Sequence, residues 1–215
     1  MSFTYSTLKT AVQDYLECTE STFVTQLPTI ITESEDRIFQ LVQLPEQRKN
    51  VQGTTESGNR FLAVPNDFLA PMSLAIISSS TYTYLDLKHA SFLKEYSPTT
   101  TVTGQPKYYS IYSQSSFALA PVPNANFTVE LHYLHKPTSI TSGSDSGTTV
   151  LSEDYSDALL YGALVEGAIF LKEPPDVIAQ FEARFKESVA RMKNLSEGRE
   201  TKDEYRYDSL RIGVS

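Results

Sequence analysis

The sequence predicts an α+β fold: a four-helix bundle with an inserted antiparallel β domain and an extended C-terminal arm. Three observations carry this. Apolar residues recur at helical spacing near both ends of the chain. The middle breaks into short β-branched and aromatic runs punctuated by Pro and Gly. The last residues switch to period-two alternation.

In the first block, Leu8, Val12, Tyr15 and Leu16 define one helical face, and Thr4 is placed to cap it. The polar stretch Thr19–Thr22 then separates it from a second helix. Pro28 fits the first position of that helix, where its missing N–H costs nothing. Ile31, Ile38, Leu41 and Val42 form its apolar face, and Pro45 ends it.

The middle block supplies strand-like runs at Arg60–Val64, Met72–Ile77, Tyr82–Leu87, Lys107–Tyr112, Ser116–Ala120 and Phe127–His135. In the last, Phe127, Val129, Leu131 and Tyr133 share one face. Short strands with Pro and Gly turns indicate an antiparallel sandwich or barrel, with Ala90–Tyr96 as a helical excursion. Ser139–Thr149 is rich in Ser, Gly and Thr and reads as a flexible connector.

In the third block, Ser152 is placed to cap a helix over about Glu153–Lys172. Its Ala158, Gly162, Ala163 and Gly167 permit close approach of another helix. Pro174 and Pro175 break that helix and start the next, in which Val177, Phe181, Phe185, Val189 and Met192 recur at helical spacing up to Gly198. Four amphipathic faces can bury one another where a lone pair buries little. The expected organisation is therefore a helical bundle from 1–50 and 150–198, a β domain at 51–138, a linker at 139–149 and an arm at 199–215. In the arm, Tyr205, Tyr207, Leu210, Ile212 and Val214 alternate, suiting a strand added to another chain's sheet edge or, equally, a frayed terminus.

Composition narrows the function classes. A net charge of −8 disfavours tight binding to nucleic-acid phosphates. The single cysteine, Cys18, allows neither an intrachain disulfide nor a thiolate metal cluster, which suits a reducing cytoplasm. No secretory leader or membrane-spanning run is read. The 13 Tyr, with abundant Ser and Thr, suit a protein interface as well as they suit ordinary sheet.

Catalytic motifs do not emerge. His132 and His135 fall on opposite faces of one strand, and His89 has no Asp or Cys at ligand spacing. Gly143–Gly147 has Asp145 where a nucleophile elbow needs Ser, and no strand precedes it. The adjacent pairs Glu35–Asp36 and Glu153–Asp154 point apart on a helix and read as helix-end or solvated charge. Glu166, in an apolar stretch, reads as solvent-facing or as a buried interface carboxylate paired with an Arg. The expectation is a protein with no enzymatic activity, cofactor or metal.

Several segments, in order, resemble the head-to-tail adaptor proteins of podoviruses, the family that includes the tail tubular protein A-like connectors. They are Phe61–Pro71 (FLAVPNDFLAP), Gly104–Tyr109 (GQPKYY), Phe117–Pro123 (FALAPVP), Phe127–Tyr133 (FTVELHY), Asp157–Glu166 (DALLYGALVE) and Leu195–Arg199 (LSEGR). The resemblance implies a dodecameric ring in the neck of the virion, assembled in the host cytoplasm. It would join the portal protein to the tail nozzle or tube protein, with genomic DNA passing only in transit and no membrane involved. It also implies portal docking by the C-terminal arm, that is, by Tyr205, Tyr207, Leu210, Ile212 and Val214. The alternative is a carbohydrate- or receptor-binding module of a phage tail.

Overall fold

The computed structural model describes residues 2–78 and 80–212, with side chains described through Ser196. The chain forms two compact units, one from the residues up to Pro45 together with those from Thr138 on, the other from Glu46–Pro137. Among the described residues there are six α-helices, α1 (Tyr5–Tyr15), α2 (Ser21–Leu41), α3 (Ala90–Tyr96), α4 (Val150–Asp154), α5 (Ser156–Leu171) and α6 (Pro175–Ile212).

Five of these helices, all but α3, belong to the first unit. Thr4 caps α1 reciprocally: its hydroxyl accepts from Thr7 N at 3.3 Å, while Thr4 N donates to Thr7 Oγ1 at 2.8 Å. Leu8 and Val12 are fully buried, but Tyr15 faces solvent. α2 begins seven residues before Pro28, which lies inside it. A proline there forfeits one backbone bond. Phe23 and Leu27 on one side of it and Ile30, Ile31 and Ile38 on the other are all buried, so core packing outweighs that loss.

α5 is the centre of this unit. Ten of its sixteen residues are buried, on all sides, so it lacks the one-sided pattern of a surface helix. Gly162 and Gly167 let neighbours close in. A Cβ on Gly162 would collide with Ser34 Oγ of α2 and lie 3.1 Å from the Phe185 ring of α6; one on Gly167 would lie 2.7 Å from Leu16. The approach expected at these glycines is thus made by α2, α6 and the end of α1.

The Ser139–Thr149 stretch does more than connect. Ile140 is buried against the helices, and its N–H donates to Glu35 Oε1 at 3.1 Å. Asp145 accepts from Lys9 Nζ at 2.7 Å. Glu35, read from sequence as a solvated or helix-end charge, is a buried docking point on α2.

The second unit is built on a seven-stranded sheet in the order β1-β9-β3-β4-β6-β7-β2. Its strands are β1 (Arg48–Thr54), β2 (Phe61–Ala63), β3 (Phe68–Ser78), β4 (Thr81–Leu87), β6 (Tyr108–Ser113), β7 (Ser116–Ala120) and β9 (Thr128–His135). The two-residue strands β5 (Thr103–Gly104) and β8 (Val122–Pro123) pair separately. Register aligns Val51, Leu131, Leu74 and Leu85 across β1, β9, β3 and β4, a row of apolar side chains over one face. The sheet curls. Phe68 on β3 and Phe117 on β7 lie three strands apart in the order, about 14 Å in a flat sheet, yet their ring centroids are 5.2 Å apart. Tyr109 and Tyr133 complete that core.

The fold therefore differs from a four-helix bundle with an inserted antiparallel β domain and an extended arm. Five helices rather than four share the helical core, because the chain breaks at Tyr155 and divides one expected helix into α4 and α5. Thr149, not Ser152, is the N-cap of α4, and Ser152 answers it from the third helical position. The sheet is mixed, since β4 and β6 run parallel. Parallel neighbours need a crossover connection, and the segment containing α3 supplies it. Pro71 does not end a strand: register shifts at Phe68/Ala70 and Pro71/Ser73 accommodate it inside β3. The backbone from Arg199 to Ile212 continues α6 past Gly198 instead of extending as a strand.

Candidate interaction surfaces

Each unit is tied by a polar cluster. In the helical unit the cluster centres on Arg37 of α2. Its Nη2 donates to both carboxylate oxygens of Glu182 on α6, at 2.8 and 2.9 Å, and its Nη1 to Glu166 Oε1 on α5 at 3.3 Å. The guanidinium lies 4.6 Å from the centre of the Phe185 ring. Glu166 is thus neither free in solvent nor an interface charge awaiting a partner chain: it is one of two carboxylates satisfied within the unit. Beside the cluster, Arg37, Leu41, Glu182, Phe185, Val189 and Lys193 line a groove of about 440 Å³ between α2 and α6. Further along, Ser196 Oγ donates to Gln43 O at 2.9 Å and pins α6 to the end of α2.

In the β unit the cluster centres on Asp67, in the turn entering β3. Lys49 Nζ donates to one of its oxygens at 2.7 Å and Tyr133 OH to the other at 2.9 Å. The Lys49 hydrogen bond is the largest cause holding the Asp67 carboxyl below its ordinary range, and Tyr133 and the Lys49 charge add to it. Burial, reinforced by Asp67, pushes the Tyr133 hydroxyl up, and Asp67 raises Lys49 in turn. Asp67 belongs to the quoted Phe61–Pro71 segment, and it fastens that turn to β1 and β9.

His89 caps α3, its Nδ1 accepting from Ser91 N at 3.3 Å. His132 and His135 lie on β9, three residues apart. Among the described residues no three His, Cys, Asp or Glu side chains come together as a metal would require. Cys18 is a free thiol packed against the helical core. Of the segment expected to dock on the portal, Tyr205, Tyr207, Leu210 and Ile212 fall on the helical backbone of α6. Their side chains, and Val214 altogether, lie outside the described residues.

Both units expose large apolar side chains. The helical unit presents Leu41, Ile169, Phe170 and Leu195, and the β unit Tyr82, Tyr84, Ile111 and Tyr112. Tyr82 and Tyr84 stack in a ladder on β4, with ring centroids 6.5 Å apart. Grouped exposed apolar side chains on a soluble-type surface mark sites of contact with other macromolecules. Sequence reasoning missed two polar residues, Arg60 and Ser110. They stand fifty positions apart and share a pocket only because β2 and β6 both pair with β7.

These features define a two-unit α+β protein with exposed large apolar side chains on each unit. The family model described as SU10 adaptor protein matches residues 3–212, and the chain belongs to that family of phage head–tail adaptors. It is a structural component of the bacteriophage virion that engages other virion components. A search of curated proteins finds no match. No helix among the described residues is long and apolar enough to cross a membrane.

Proposed function

We propose that this chain is the ring-forming adaptor at the neck of a short-tailed phage, joining portal to tail nozzle or tube. The observation that carries the reading is the family match over 3–212. In this reading the helical unit supplies the lateral contacts that close a dodecameric ring, and the β unit widens the contact with tail components. Heterologous contacts close into a ring when the rotation per subunit divides the circle. Rigid subunits favour this, and the Arg37 knot and the close packing at Gly162 support such rigidity.

DNA passes through the channel in transit. A subunit of net charge −8 favours a wall that repels phosphate, so the duplex slides without sticking. Salt confines that repulsion to about 8–10 Å, so the effect acts only near the wall. The segment Tyr205–Val214 docks into the portal, and its residues up to Ile212 lie on the backbone of α6. The chain has no enzymatic role in the reading.

Negative-stain microscopy of the purified chain mixed with purified portal tests it. A closed ring stacked on the portal is expected. A chain that stays single beside the portal and is retained on a glycan array would replace the adaptor with a receptor-binding module.

A further inference from the structure

The β unit contains a small cationic pocket in which two buried polar atoms, Arg60 Nε and Ser110 Oγ, have no hydrogen-bond partner. Arg60, Phe61, Ala90, Leu93, Lys94, Ser110, Tyr112 and Ala118 enclose about 190 Å³. Register explains why it exists. Ala118 on β7 pairs with Phe61 on β2 to one side and Ser110 on β6 to the other. Two small residues thus form the floor, since Ser110 and Ala118 leave the volume a larger pair would fill. The Phe61 and Tyr112 rings, 4.8 Å apart, form one wall, and α3 forms the other through Leu93 and Lys94.

Arg60 is fixed at one end, where its Nη2 donates to Ser97 O at the close of α3, 2.5 Å away. Its Nε is buried with no hydrogen-bond partner. Ser110, only 2% exposed, has a hydroxyl in the same condition. Two unpaired donors in one pocket are unusual in a folded protein, where buried polar groups are nearly always bonded. Each carries the cost of lost hydration without a replacement. Both are satisfied by an acceptor with two oxygens, and Arg60 and Lys94 make that acceptor an anion.

We infer that this pocket receives the carboxylate of an acidic side chain presented by another virion protein. A carboxylate accepts from the Arg60 Nε–H and the Ser110 hydroxyl together, while Lys94 screens it at the mouth. The exposed Phe61 and Tyr112 rings pack on its methylenes, giving the aromatic-plus-arginine composition of an interface hot spot. The inference rests on family membership for the existence of a partner, and not on ring closure, portal docking or neck position.

The test is a titration of the isolated full-length chain, following the Arg60 Nε–Hε cross-peak by NMR, with Arg60→Lys assigning the signal. The probes are N-acetyl-glutamate amide, its glutamine counterpart and inorganic phosphate. The glutamate probe is expected to saturate with a Kd on the order of 1–10 mM. The glutamine probe should bind at least about tenfold more weakly. Ser110→Ala removes a hydroxyl that has no bond to lose, so it keeps the fold and should weaken the glutamate probe about threefold or more. An Arg60 signal unmoved by glutamate means the pocket holds ordered water alone and overturns the inference. So does equal binding of the two amides, or tighter binding of phosphate. None of these outcomes depends on whether the chain assembles on a portal, so failure here leaves the adaptor reading intact.

Discussion

Arg37 Nη2 lies 2.8 and 2.9 Å from the two carboxylate oxygens of Glu182, and this contact joins α2 to α6 beside Glu166 of α5. The two residues come from opposite ends of the chain, on either side of the β unit in sequence. Their contact closes the helical unit as a single body.

Replacing Arg37 by Met removes the cation from between Glu166 and Glu182. Those carboxylates then face each other with Lys186, 3.4 Å from Glu182, as a partial counter-charge, and the stacking on Phe185 is lost as well. Arg37, Glu166 and Glu182 all keep partial solvent contact, so the expected loss is modest, about 1–2 kcal/mol. Thermal unfolding of the variant should begin earlier, and Arg37→Lys should recover only part of the difference, since an ammonium lacks the planar fork. An unchanged melting curve would show that the knot does not hold the helices.

Gly162→Ala tests the packing of α5. Alanine favours the helix by up to about 1 kcal/mol, but the new methyl meets Ser34 Oγ and the Phe185 ring. Overpacking of that kind costs about 1–3 kcal/mol, so a net loss is expected. Adding Ser34→Ala removes the nearest obstacle and should restore part of the stability. Chemical denaturation of the single and double variants reads the coupling directly.

The Asp67 cluster sets a pH dependence. A carboxyl held below its unfolded value stabilises the fold fully above 3.8 and loses that contribution as pH falls through its lower folded value. Tyr133 is shifted the other way, upward from 10.0, so its contribution is complete below 10.0 and lost as pH rises through the higher folded value. Between these limits both contributions are present. Urea melts of wild type and Asp67→Asn should therefore differ at about pH 7 and converge as pH falls below 3.8 through the lower folded value. Tyr133→Phe, which removes one hydrogen bond, should cost about 0.5–1.5 kcal/mol at neutral pH.

Deleting Tyr205–Ser215 should leave the subunit folded, because the helical core is built from residues up to Met192. Portal binding in a pull-down with purified portal should fall. Undiminished binding would remove this segment from the docking account.

Periodicity made much of this architecture legible, and its limits are equally physical. Val129, Leu131 and Tyr133 alternate cleanly, and β9 buries that face. β1 is polar on both faces, so no alternation marks it, and only pairing with β9 makes it a strand. Proline misled twice, at Pro28 and Pro71, where packing and a bulge outweigh the local penalty. α5 is apolar all round and concealed its own centrality. Of the polar sites, an Arg partner for Glu166 was read only as part of an interface, whereas Arg37 pairs with it inside the helical unit. Asp67 lay in a quoted segment without a role. Arg60 and Ser110 left no trace, since strand register alone unites them.

Cryo-electron microscopy of the virion neck tests the central claim most directly. The account predicts twelve copies of this chain in one closed ring between portal and tail. Finding the chain at the tail tip, or as isolated copies away from the portal vertex, would contradict it.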